Sequence, residues 1–111
     1  MNTKKFFDKI KAGLYYEVQL ALEAGFDVNT KNQSGNTALH IGVSTYDEEL
    51  VKVLMPFDPD MKTKNSWGYS VTDLLKDNNG MEGVLKTVNK GLKVLIKKKK
   101  LGKYADLLGN D

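Results

Sequence analysis

The segment Thr30-Lys-Asn-Gln-Ser-Gly35 returns as Thr63-Lys-Asn-Ser-Trp-Gly68, 33 residues later. A fixed period of this length, with a turn-forming glycine in each copy, is the mark of stacked structural repeats. The same offset of 33 relates Val18, Val51 and Val84, and it pairs Leu20 with Val53, Leu22 with Met55 and Asp27 with Asp60. Each copy therefore carries an apolar face at a fixed place. One such unit cannot bury that face alone, so the units must stack. Stacks of this kind present extended surfaces to other macromolecules far more often than they catalyse.

The run Gly35-Asn-Thr-Ala-Leu-His-Ile-Gly42, followed by Glu49-Leu-Val-Lys-Val-Leu-Met55, resembles the ankyrin repeat. Glu23-Ala-Gly-Phe-Asp-Val-Asn29 resembles that family's repeat ending. The Thr-x-Leu-His match at Thr37–His40 is specific because the 33-residue period supports it. The resemblance covers about residues 3–89. It implies an all-α, ankyrin-like helix-turn-helix solenoid of about three repeats with outward turns. The units fall near 3–34, 35–67 and 68–89, and 90–111 is expected to form a lysine-rich C-terminal cap helix or tail. Three departures stand out. Ala38 replaces the usual proline, Pro56-Phe-Asp-Pro59 replaces a glycine-containing helix end, and Ser70-Val-Thr-Asp73 stands in place of Thr-Pro-Leu-His.

Local signals give the elements. Phe6, Phe7 and Ile10 have helical spacing and predict a helix over 3–12, with Gly13 as a turn. A second helix is expected over 15–24, with Val18, Leu20, Ala21 and Leu22 inward and Gly25 as its stop. Thr37 and Asp47 are N-caps for helices over 38–44 and 48–55, and Pro56 and Pro59 break the chain after them. Ser70 opens a helix to about Asp77, Asn78-Asn-Gly80 turns, and a helix resumes near Glu82. From Lys90 onward Leu92, Leu95, Ile96, Tyr104, Leu107 and Leu108 fit one broad helical face. Val51, Leu54, Met55, Leu39 and Val84 are the expected core between units. Gly35 and Gly68 are expected to share one backbone conformation.

Composition narrows the function classes. There is no cysteine, so disulfides and cysteine metal sites are excluded. The N-terminal Met-Asn-Thr-Lys-Lys-Phe-Phe carries charges through its apolar residues and predicts no signal peptide, and no apolar run is long enough for a transmembrane segment. A cytoplasmic location is expected. Residues 1–89 hold 10 lysines against 12 acids, whereas residues 90–111 hold 7 against 2. All 17 basic residues are lysine and there are nine asparagines, which suggests an AT-rich coding sequence.

Nothing in the sequence points to catalysis. His40 is the single histidine and has no cysteine or second histidine to act with. The resemblance implies that it and Thr37 fix the turn and the helix start. Asp47-Glu-Glu49 and Asp58-Pro-Asp60 lack the spacing of a calcium loop, and there is no phosphate-binding glycine motif or nucleophile elbow. No metal, cofactor or catalytic residue is expected.

The expected partner is a protein. Trp67 and Tyr69 flank Gly68 at the tip of the second turn, and large aromatic side chains dominate binding hot spots. The matching positions one unit back are Gln33, Ser34 and Asn36. The resemblance implies contacts at these loop positions, together with Ser66 and with Ser44, Thr45 and Tyr46 at the end of the second unit's first helix. The alternative surface is basic: Lys90, Lys93, Lys97, Lys98, Lys99, Lys100 and Lys103 form a candidate anion or nucleic-acid contact. The sequence shows no second domain, so a small inhibitor or adaptor is the expected role. An AT-rich origin extends this to a phage or mobile-element inhibitor of a host defence enzyme.

Overall fold

Asn2 starts the first helix by accepting the Lys5 backbone N–H at 2.8 Å. The computed structural model describes residues 1–76 and 82–99. Among them lie six helices: α1 (Thr3–Lys11), α2 (Tyr15–Glu23), α3 (Ala38–Ser44), α4 (Glu48–Leu54), α5 (Val71–Lys76) and α6 (Glu82–Lys99). A 3-10 turn, Met55–Phe57, extends α4, and the described residues contain no strand. The fold is the all-α helix-turn-helix stack that the period predicts.

Caps explain where the helices begin. Thr37 and Asp47 sit where the sequence places them, and their side chains accept the backbone N–H groups of His40 and Leu50. The segment Ser70-Val-Thr-Asp73 rebuilds the same device with other residues. Ser70 Oγ accepts the Asp73 N–H at 3.1 Å, and the Asp73 carboxylate accepts the Ser70 N–H at 3.0 Å. The Ser70 N–H first, and the Ser70 side chain second, hold the Asp73 carboxyl below its ordinary range. The apparent departure from the repeat pattern thus conserves the capping chemistry. Pro56 does not end α4 abruptly; it lies within the 3-10 turn, where a proline near the start loses no needed donor.

The outer helices α2, α4 and α6 pack in succession, and α3 packs on α5. Between the layers lie Leu39, Leu50, Val51, Leu54, Met55, Val84, Val88 and Leu92, all buried. At the first unit Phe6 stacks on Phe26 with ring centroids 4.4 Å apart. Every residue named above as core between units is buried. Leu20 is the exception among the inward assignments: it is 44% exposed. Its partner one period on, Val53, packs against the core because α2 lies beside it. α2 is the first of the outer helices, so no described outer helix covers Leu20 in the same way.

The outward turns are built twice on one plan. In the first, Asn32 Oδ1 accepts the N–H groups of Ser34 and Asn36, and in the second Asn65 Oδ1 accepts those of Trp67 and Tyr69. Gly35 and Gly68 close the turns at φ of 72° and 83°, a region that disfavours a β-carbon. The two sites differ in one respect. A β-carbon on Gly35 would lie 2.8 Å from the Ser66 nitrogen, whereas one on Gly68 would meet nothing within 4 Å. Gly68→Ala is therefore expected to cost about 1 kcal/mol from backbone strain alone. Gly35→Ala should cost clearly more, because the second turn must also shift. Equal urea midpoints for the two variants would contradict this packing.

α6 runs unbroken from Glu82 to Lys99, through position 90. The Asn78-Asn-Gly80 turn lies outside the described residues, as do Tyr104, Leu107 and Leu108. No described helix is long and apolar enough to cross a membrane.

Candidate interaction surface

Hydrogen bonds stitch the two outward turns together. The Ser66 N–H donates to the Ser34 carbonyl at 3.0 Å, Asn65 Nδ2 donates to Asn36 Oδ1 at 2.9 Å, and the Asp60 N–H donates to Asn29 Oδ1 at 2.7 Å. The turns are thus held in fixed register, one period apart. Asn36 is half-buried and its amide oxygen is already engaged in this stitching. Gln33 is exposed and Ser34 half-buried on the first turn, and Ser66, Trp67 and Tyr69 are exposed on the second.

Trp67 is 66% exposed and Tyr69 is 53% exposed. Both follow Asn65, whose side chain holds their backbone N–H groups at 3.0 Å. Two large rings therefore stand in solvent on a backbone that cannot easily rearrange. Such preorganisation lowers the entropy lost on binding.

His40 connects this turn to the helix behind it. Its Nδ1 accepts the Thr37 N–H at 3.1 Å, and its Nε2 lies 2.9 Å from the Tyr69 carbonyl. That carbonyl only accepts, so Nε2 carries the proton and the ring is neutral. Burial lowers the His40 pKa, opposed by the Tyr69 carbonyl and assisted by the Lys31 charge. The sign of the stability change follows. The unfolded chain takes up the proton first as pH falls below about 6.5, so this stability is present above that pH and lost below it. Urea midpoints should fall between pH 7.5 and 5, and His40→Gln should flatten the fall, since glutamine keeps the cap on Thr37 but does not titrate. An equally steep fall in the variant would assign the titration elsewhere.

Ser44, Thr45 and Tyr46 are exposed at the end of α3, and the Thr45 hydroxyl donates to the Ile41 carbonyl at 2.7 Å. Tyr46 adopts φ 55°. Its N–H bonds the Val43 carbonyl and the Asp47 N–H bonds that of Gly42, which is the double bond pattern of a left-handed helix end. α1 and α2 end in the same way with Gly13 and Gly25 at the left-handed residue. A tyrosine thus stands where the other two helices use glycine.

Sequence reasoning missed a groove beside these residues. It runs between α1 and the first turn, floored by half-buried Phe7 and flanked by Lys4, Lys11, Lys31 and Gln33. The only advance signal was Lys31 itself, which recurs as Lys64 one period later. Where this groove continues past Lys11, Tyr15 donates its hydroxyl proton to the Asp47 carboxylate and so ties α2 to the start of α4. Burial first, and the Asp47 hydrogen bond second, push the Tyr15 pKa up to about 12.

On the basic surface, Lys90 and Lys93 are exposed on α6. Lys97, Lys98 and Lys99 fall in the last turns of that helix, and Lys100 and Lys103 lie outside the described residues. Among the described residues no group of three histidine, cysteine, aspartate or glutamate side chains is placed to hold a metal ion.

The comparisons agree with this geometry. The family model for ankyrin repeats (many copies) matches residues 7–55. An ankyrin repeat protein of Acanthamoeba polyphaga mimivirus is 37% identical over 54 residues, which is 49% of this chain and 13% of that protein. The chain thus spans a small part of the relative's length. No solved structure matches. With its period, its Thr37–His40 cap and its paired helices, the chain is similar to the ankyrin-repeat family, and residues 7–55 match that family's model.

Proposed function

We propose that the chain is a non-catalytic protein-binding module that acts in the cytoplasm as a small inhibitor or adaptor. Ankyrin repeats are generally interaction modules, and the side formed by the turns and the end of α3 offers the means. The partner meets Gln33, Ser34 and Asn36 on the first turn, Ser66, Trp67 and Tyr69 on the second, and Ser44, Thr45 and Tyr46 at the end of α3. The observation that carries this reading is the exposure of Trp67 on a backbone fixed by Asn65. Affinity comes from burying the rings against a complementary surface, with the turn backbone already in place.

Trp67→Ala tests the reading. The ring is exposed, so the thermal midpoint should stay nearly unchanged. The complex with a partner recovered by affinity capture should weaken by about 2 kcal/mol or more. Melting of the fold with binding retained would make the turn structural.

A second reading rests on Lys90 and Lys93, which are exposed on α6. Together with Lys97–Lys100 they would hold phosphates of a nucleic acid, without sequence preference. A salt titration separates the two. Nucleic-acid binding lost steeply with salt, and abolished when Lys97–Lys100 become glutamine, would favour the second. A change confined to association rate and salt dependence favours the first.

A further inference from the structure

The groove between α1 and the first turn has a chemical character of its own. Lys4, Lys11 and Lys31 line it with one acid, Asp8, so three positive charges face one negative. Lys4 is taken up by Asp8 at 2.8 Å. Lys31 Nζ donates to the Lys64 carbonyl at 3.2 Å, which fixes the ammonium in place without neutralising it. Lys11 has no ion-pair partner among the described residues. The groove continues past Phe7 and Lys11 to Ile41 and Thr45, where Asp47, bonded by the Tyr15 hydroxyl, adds one carboxylate, so the excess of positive charge lies at the Lys11 and Lys31 end.

The clefts beside α4 lack this excess of positive charge. The cleft between α2 and α4 is lined by Glu23 and Glu49, and that between α4 and α6 by Glu48 and Glu49, with Lys52 in both and Lys90 in the second. Positive charge is therefore concentrated at the α1 groove, although residues 1–89 as a whole are slightly acidic. Such concentration orients an approaching charged partner and selects its sign.

We propose that this groove takes an extended acidic polypeptide segment, with carboxylates on Lys11 and Lys31 and an apolar side chain against Phe7. The assignment rests on the reading that the turn side binds protein, and it names the partner's chemistry. A peptide fits better than a nucleic acid, because the groove's aromatic floor is half-buried and offers little face for stacking a base.

The test uses the full chain and three fluorescein-labelled probes: Glu-Glu-Leu-Glu-Glu, its lysine counterpart Lys-Lys-Leu-Lys-Lys, and a single-stranded oligothymidine. Binding is read by fluorescence anisotropy at low salt. The acidic peptide should bind, and the lysine peptide should not. The double variant Lys11→Glu, Lys31→Glu should weaken the acidic peptide by roughly tenfold or more, while Lys52→Glu, which does not line the groove, should change it less than about twofold. Circular dichroism confirms that both variants are folded, and the neutral pair Lys11→Gln, Lys31→Gln gives an intermediate loss if charge is the cause. Equal binding of the two peptides, or indifference to the double variant, overturns the proposal. So does oligothymidine binding as tightly as the acidic peptide with the same dependence on Lys11 and Lys31. If a Trp67-dependent partner complex survives the double variant unchanged, the acidic assignment falls and the turn-side reading stands. If Trp67→Ala is silent while the acidic peptide still requires Lys11 and Lys31, the turn-tip reading falls and the groove stands.

Discussion

Leu54→Ala is expected to lower stability by about 2–5 kcal/mol. Leu54 is fully buried at the end of α4. That helix touches α2, α3, α6 and the following 3-10 turn, so it is the element to which most others attach. Truncation removes apolar burial and leaves a cavity whose walls belong to different units, which cannot collapse together without sliding the stack. A domain of this size has only about 5–15 kcal/mol to lose. The helix pairs on either side hold one another through nearest-neighbour contacts, so the damage should spread along the stack. Urea unfolding followed by circular dichroism measures it. A loss below about 0.5 kcal/mol, the range of surface changes, would mean that the register of α4 is wrong.

Gly91→Leu should cost a similar amount, roughly 3 kcal/mol, for the opposite reason. A β-carbon at this position would lie 2.6 Å from the Met55 β-carbon and 2.8 Å from its γ-carbon. Neither atom sits at the far end of a flexible chain, so rotation of Met55 does not relieve the contact. α6 must move away from α4, and Val84, Val88 and Leu92, which it buries, move with it. The helix propensity that leucine gains over glycine, about 1 kcal/mol, does not offset this. Amide hydrogen exchange across α6 is the discriminating measurement. Protection should fall throughout the helix and not only at its end. Unchanged protection would show that α6 does not dock on α4 through its glycine face.

Much of this arrangement is legible in the sequence because local chemistry states it twice. Thr37 and Asp47 mark helix starts, and Gly35 and Gly68 mark turns, since a cap or a left-handed residue allows few alternatives. The buried set from Leu39 to Val84 follows from the period. The same reasoning misplaces Leu20, because a repeat pattern reports the average neighbour of a position. It does not tell which unit stands at the end of the stack. Ser70-Val-Thr-Asp73 reads as a departure when judged by residue identity and as a match when judged by hydrogen bonding. The site is less legible. Trp67 and Tyr69 can be read because large rings beside a turn glycine are conspicuous. The engagement of Asn36 with Asn65 cannot, since either amide could equally face solvent. The groove at Phe7 depends on lysines from two segments about 20 residues apart, and their meeting is a fact of packing.

The placement of Trp67 has an optical consequence. It is the only tryptophan in the chain, and it stands in water on the folded protein. Its emission should be close to that of the unfolded chain, so intrinsic fluorescence will underreport denaturation of a core that contains no indole. The same ring, once covered, should shift its emission to the blue and resist quenching by iodide. The protein therefore carries a chromophore that is nearly blind to its own melting and well placed to register a visitor.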